Sequence, residues 1–261
     1  MRTLLPALAL AALALGCGDP ADEGAGAAAE PPAAAAPDRA PTADDLETLG
    51  GEMPPYAVRL LSGPYVEASY VALPAGASVA LQNGENWVVY AYSDATVSVE
   101  GAGGPTDWRG GSAAFFDVPT RITNAGDAEA QLIFFERWAN PLPDRRESSD
   151  EDVRFPYELS RLDEIDSPAI DVLVSNDRVG VAHVTLAPGE RLPPHSAFSR
   201  AVVALSDYEA ERTRGEEFGG ASPDVRIQRV AGSTTWDTAR NYAVENVGET
   251  PSETLVVAYY Q

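Results

Sequence analysis

The sequence contains no lysine, so all 18 of its basic residues are arginine, and they stand against 40 acidic residues for a net charge of −22. A surface this acidic repels nucleic-acid phosphates and anionic headgroups, which excludes a nucleic-acid partner. Histidine is almost as scarce. With His183 and His195 alone in the chain, no site of three imidazoles around one metal can be assembled. Cysteine occurs once, at Cys17, where a free thiol would be a liability in an oxidising compartment. Helical periodicity is nearly missing too, and only Ala43–Leu49 and Tyr157–Ile165 suggest a turn or two of helix. There is no Ser-His-Asp arrangement, Walker loop or dinucleotide fingerprint, and no helix follows the glycine-rich Gly101–Gly104 to cradle phosphate.

What is present begins with Met1-Arg2, an apolar stretch from Leu4 to Leu15, and then Leu13-Ala14-Leu15-Gly16-Cys17. The stretch is too short for a permanent transmembrane helix and has the form of a signal peptide over residues 1–16. Gly16 before Cys17 resembles a bacterial lipobox, although Ala14 stands where leucine is usual. That resemblance implies lipidation of Cys17, which would give the chain a membrane partner through an N-terminal lipid anchor. Gly18 in place of Asp points to the outer membrane, facing the periplasm. Residues 17–46 are Ala, Pro, Gly and acidic side chains with too little apolar surface to offset the entropy of ordering. They form a disordered tether with a reach of roughly 30 Å.

The rest is duplicated. Sliding the sequence on itself sets Val66–Asp94 over Val179–Asp207 without a gap, with identities at Val66/Val179, Val71/Val184, Leu73/Leu186, Gly76/Gly189, Val89/Val202, Ala91/Ala204, Ser93/Ser206 and Asp94/Asp207. Further on, Gly111-Ser112 falls on Gly232-Ser233, and Asn124-Ala125-Gly126-Asp127 on Asn246-Val247-Gly248-Glu249. Within the first half, Val66–Leu73, Val88–Tyr92, Ala95–Val99, Ser112–Asp117, Arg121–Asn124 and Gln131–Arg137 are β-branched or aromatic segments of strand length between turn signals. Many short, evenly spaced strands predict an all-β chain of two antiparallel barrels. The expected organisation is a first barrel over residues 47–139, a Pro-rich charged linker over 140–156, and a second barrel over 157–261.

Leu186-Ala187-Pro188-Gly189-Glu190-Arg191-Leu192-Pro193-Pro194-His195 resembles the first cupin motif, a Pro-Gly turn followed by the first metal-ligating His. Gly111–Asp127 and Gly232–Glu249 are similar to the second motif, and the resemblance covers residues 56–138 and 169–261. It implies two tandem cupin-type β-barrels, each a double-stranded β-helix or jelly roll. It also implies four ligand positions per barrel. In the second half these fall on His195, Ala197, Val202 and Tyr242, and in the first on Gln82, Gly84, Val89 and Thr120. One ligand of the two sets survives, so no metal and no cofactor is expected.

The candidate binding residues are Gln82, Thr120, His195, Tyr242 and Trp236. His195 and Tyr242 are also the candidate catalytic pair, since a near-neutral imidazole and a phenol can serve as base and acid, and metal-free epimerases of the cupin superfamily use such a couple. His183, by strand parity, is expected to point out of the pocket, toward the other barrel. The charged connection from Asp207 to Gly232 is read as a lid or a solvated hairpin. The functional expectation is a non-catalytic envelope lipoprotein that binds a small molecule or a protein partner, or acts as an assembly surface. The alternative is a metal-independent isomerase, epimerase or lyase using His195 and Tyr242.

Overall fold

Period-2 alternation is carried through both halves of a computed structural model that describes residues 56–81, 85–138, 159–214, 222–238 and 240–260. The signal peptide, Cys17, the tether, the linker, Ala43–Leu49, Gln82 and Gly84 lie outside the described residues. The first half runs β1 (Ala57–Ser62), β2 (Val66–Leu73), β3 (Ser78–Leu81), β4 (Glu85–Ala91), β5 (Ala95–Val99), β6 (Pro105–Trp108), β7 (Ala113–Phe116), β8 (Thr120–Asn124) and β9 (Ala130–Arg137). The second runs β10 (Ile170–Ser175), β11 (Val179–Leu186), β12 (Arg191–Ala197), β13 (Arg200–Ala204), β14 (Tyr208–Arg214), β15 (Ser222–Arg229), β16 (Thr234–Asp237), β17 (Arg240–Asn246) and β18 (Ser252–Tyr259). Between them the Tyr157–Ile165 stretch yields only a 3-10 turn, Leu162–Glu164, whose first N–H donates to the Tyr260 hydroxyl at 3.0 Å.

Each half folds into two facing antiparallel sheets. The first has the orders β1-β2-β9-β4-β7 and β3-β8-β5-β6, and the second repeats them as β10-β11-β18-β13-β16 and β12-β17-β14-β15. The pairing register is duplicated as well: Trp87 opposite Phe116 in one half becomes Arg200 opposite Asp237 in the other. The two jelly rolls expected from the repeat are therefore present.

The turns that carry the repeat are structural devices. Gly76 and Gly189 hold φ near +75° (75° and 76°), a conformation that costs glycine little. Their N–H groups donate to the carbonyls of Asn124 and Asn246, both at 2.8 Å. The side chain of each Asn then staples the opposite turn. Asn124 donates to the carbonyls of Leu73 and Ala128 and accepts from Gly126 N–H, and Asn246 does the same with Leu186, Thr250 and Gly248.

The long strands are apolar on both faces because both faces are covered. On β2, Val71 and Leu73 point into their own barrel, while Val66 and Ala68 point at the second barrel. The core between the barrels joins Val88, Tyr90, Ile133 and Phe135 to Val179, Val181, Ala201, Val203, Leu255, Val257 and Tyr259. Polar contacts cross it: Arg178 donates to Asn86 at 3.1 Å, and Tyr90 meets Nε2 of His183 at 2.6 Å. Burial pushes the Tyr90 phenol up and the His183 imidazole down. Tyr90 is accordingly the donor and His183 the acceptor, a fixed joint between the halves.

Candidate functional site

Inside the second barrel the strands leave two adjoining cavities, of about 80 and about 40 Å³, which share Val184, Leu192, Arg200, Tyr242 and Val256 as walls. His195 lines the smaller one. It sits on β12 directly opposite Tyr242 on β17, so cross-strand pairing sets the two rings side by side with centroids 5.0 Å apart. The Pro193 carbonyl, 2.9 Å from Nδ1, can only accept, which fixes the tautomer with its proton on Nδ1 and leaves Nε2 as the basic nitrogen. Burial above all lowers the His195 pKa, with the Arg200 charge acting in the same direction and the Pro193 bond opposing both. The imidazole is neutral at pH 7.

Two guanidinium groups cover Tyr242, Arg200 at 4.5 Å and Arg212 at 4.9 Å from its ring centroid. Both converge on one oxygen of Asp237, at 3.6 and 2.7 Å. The larger cavity also takes Tyr208 and Arg229, which are cross-strand partners. Burial raises the Tyr208 phenol, Arg229 and Arg212 oppose the shift, and Asp237 adds to it. Sequence reasoning missed Arg200 and Asp237. The signal was available in the repeat, because they replace Trp87 and Phe116, and a charge inside an apolar alternation is informative wherever it is buried.

The remaining positions divide. Ala197 and Val202 line the cavities as small and apolar walls. Trp236, a candidate binding residue, lies in the core between the barrels, 5.8 Å from Tyr65 and 6.2 Å from Tyr259 by ring centroid. Alternation on β16 explains this: Thr235 and Asp237 take the inward positions and Trp236 the outward one. Thr120 lies at a strand end in the first barrel and its hydroxyl donates to the Glu100 carbonyl at 3.4 Å. His183 faces the first barrel, as its parity implied.

Within the Asp207–Gly232 connection the described residues form a strand pair, β14 with β15. Tyr208, Ala210 and Arg212 point into the barrel, and Glu209 points out to Arg226 and Gln228. In the first barrel the interior is filled by Trp87, Phe134, Leu73, Leu81, Ile122 and Leu132.

The donor set does not suit a metal. The ligand positions of the second barrel present one imidazole, two aliphatic side chains and a phenol. The carboxylate among the residues lining the two cavities, Asp237, is already shared by two guanidinium groups that would repel a cation. Among the described residues no three His, Cys, Asp or Glu side chains come together as metal ligands.

The class is set by this architecture: two tandem cupin-type barrels in one chain. Similarity to known proteins is confined to that level. No family model matches the chain, and no curated protein does. Among solved structures it is similar to a variant of oxalate decarboxylase from Bacillus subtilis, with a TM-score of 0.50 and 17% identity over 74% of this chain and 68% of that one. It is also similar to AerE from Microcystis aeruginosa (TM-score 0.49, 11% identity, 79% of this chain and 98% of that one). A cupin 2 conserved barrel domain protein from Leptotrichia buccalis gives a TM-score of 0.45 at 13% identity, over 78% of this chain and 88% of that one. At such identities the likeness is one of fold alone.

Proposed function

We propose that this is a lipid-anchored protein of the bacterial envelope whose second barrel binds a small molecule without a metal and whose first barrel serves as its structural partner. One observation carries the reading. At duplicated register positions the first barrel is filled by Trp87 and Phe116, while the second keeps a buried Arg200–Asp237 pair beside a cavity of about 80 Å³. A buried ion pair is rarely the most stabilising choice for a core, so an open polar interior in one repeat and a packed one in the other speaks for a site. The lipobox resemblance at Cys17 and the composition of the tether supply the address. Metal analysis of the purified chain tests the chemistry, and one tightly held Mn, Fe, Zn or Ni per chain would contradict the reading. Cys17→Ala tests the address: the variant is expected in the soluble envelope fraction, and retention on the membrane would remove the anchor from the proposal.

The contact between His195 and Tyr242 favours a second reading, a metal-independent isomerase, epimerase or lyase. Neutral His195 with a free Nε2 is arranged to take a proton and the Tyr242 hydroxyl to give one. Proton exchange into a bound carbonyl compound in D2O would then be abolished in His195→Gln and sharply slowed in Tyr242→Phe. Equal exchange in the parent and both variants would exclude it.

A further inference from the structure

The larger cavity of the second barrel has a charge imbalance that its own residues do not resolve. Arg200, Arg212 and Arg229 line it, and Asp237 is the one acid among its lining residues. Asp237 reaches two of the three guanidinium groups through a single oxygen. Among the described residues the buried Nε–H of Arg212 finds no hydrogen-bond partner. Arg229 forms a hydrogen bond only to the Gln228 carbonyl, at 3.2 Å, among the contacts of its guanidinium given by the described residues. Glu209 of the same hairpin does not help, because it lies on the outer face and is paired there with Arg226. Arg200 also donates to the Phe198 carbonyl at 3.3 Å, so Arg212 and Arg229 are the cations placed for a ligand, and three cations collected around one interior in a chain of net charge −22 run against the whole surface.

On the facing sheet the wall is hydrocarbon at Val184, Leu186, Val202 and Val256. Resting on the reading of this barrel as a small-molecule site, we propose that its ligand is a small monocarboxylate of about three or four carbons. Its carboxylate is held by Arg212 and Arg229 and its chain lies against that wall. The size follows from the volume: a cavity of about 150 Å³ accepts benzene, and this one is roughly half as large. The charge follows from the planar guanidinium fork, which fits a carboxylate with two parallel hydrogen bonds. An inorganic anion would leave the apolar wall unused and would lose its own hydration against hydrocarbon.

The test is calorimetric titration of the full mature chain with propionate, propionamide and inorganic phosphate at constant ionic strength. Propionate is expected to bind, with propionamide and phosphate each weaker by about tenfold or more. Arg229→Met, on a partly exposed side chain outside the Asp237 pair, is expected to weaken propionate by a similar factor with little change in melting temperature. Arg212→Met should act in the same direction, and where it fails to fold the Arg229 variant alone decides. Propionamide binding as tightly as propionate, or an Arg229 variant of unchanged affinity, would overturn the carboxylate inference and leave the small-molecule reading standing. Phosphate binding more tightly than propionate would overturn the choice of a carboxylate. If propionate, propionamide and phosphate all fail to bind at up to about 50 mM, the inference and the reading it rests on fall together.

Discussion

Two buried titratable groups pull the pH dependence of this protein in opposite directions. Glu136 is 1% exposed, directly opposite Glu67 across the β2–β9 pair, and its pKa is raised to about 7, by burial first and by the Glu67 charge second. A carboxyl whose pKa is higher in the folded state contributes its stability below the unfolded value near 4.5, and that contribution is lost as pH rises through 7. Glu136→Gln should therefore stabilise the protein at pH 8 by about 2–3 kcal/mol and change little at pH 4, as read by chemical denaturation at the two pH values. His195 has the reverse sign. Its pKa is lowered in the folded state, so its contribution is whole above the unfolded value near 6.5 and disappears as pH falls through the folded one. Replacing it with Gln is expected to flatten the acid limb of the stability curve, and an unchanged limb would mean that the imidazole is not buried as described.

At the scale of elements, each barrel is held by the same turn device, used once in each half. Asn246 and Asn124 are each almost fully buried and each satisfies three backbone groups. Alanine at either position leaves buried backbone donors and acceptors unpaired, with an expected loss of about 2–4 kcal/mol by denaturant unfolding. These turns were legible in the sequence because local signals recur in both halves, Pro-Ala-Gly with Asn-Ala-Gly-Asp in the first and Ala-Pro-Gly with Asn-Val-Gly-Glu in the second. The strand pair β14–β15 was less legible. Its run of charges looks like a solvated loop until alternation is applied strictly, when Glu209 falls on the water side and Arg212 on the barrel side. The site was half legible for the same reason. His195 and Tyr242 follow from motif spacing. Arg200, Arg229 and Asp237 depend on which strand lies beside which, and the face that Trp236 takes depends on the alternation of a four-residue strand. The charge of Arg200 makes sense only once Asp237 is known to lie opposite.

At the scale of the molecule, the two barrels share a face that neither can expose. The five-stranded sheet of the first half presents Val66, Ala68, Val88, Tyr90, Ile133 and Phe135 to the second, all of them buried. Uncovered, that face would be a contiguous apolar patch of the kind that drives aggregation. The joint is also made specific by polar pairs, since Tyr90 and His183 satisfy each other only across it. The halves should therefore unfold together. A single calorimetric transition is expected for the mature chain, with its calorimetric and van't Hoff enthalpies equal. Residues 47–139 expressed alone should associate or precipitate, and Val257→Asp, which places a charge in the middle of the shared face, should cost at least about 3 kcal/mol. Two well-separated transitions would show instead that each barrel is stable with its face in water, and the packed first barrel would then need a role other than supporting the second.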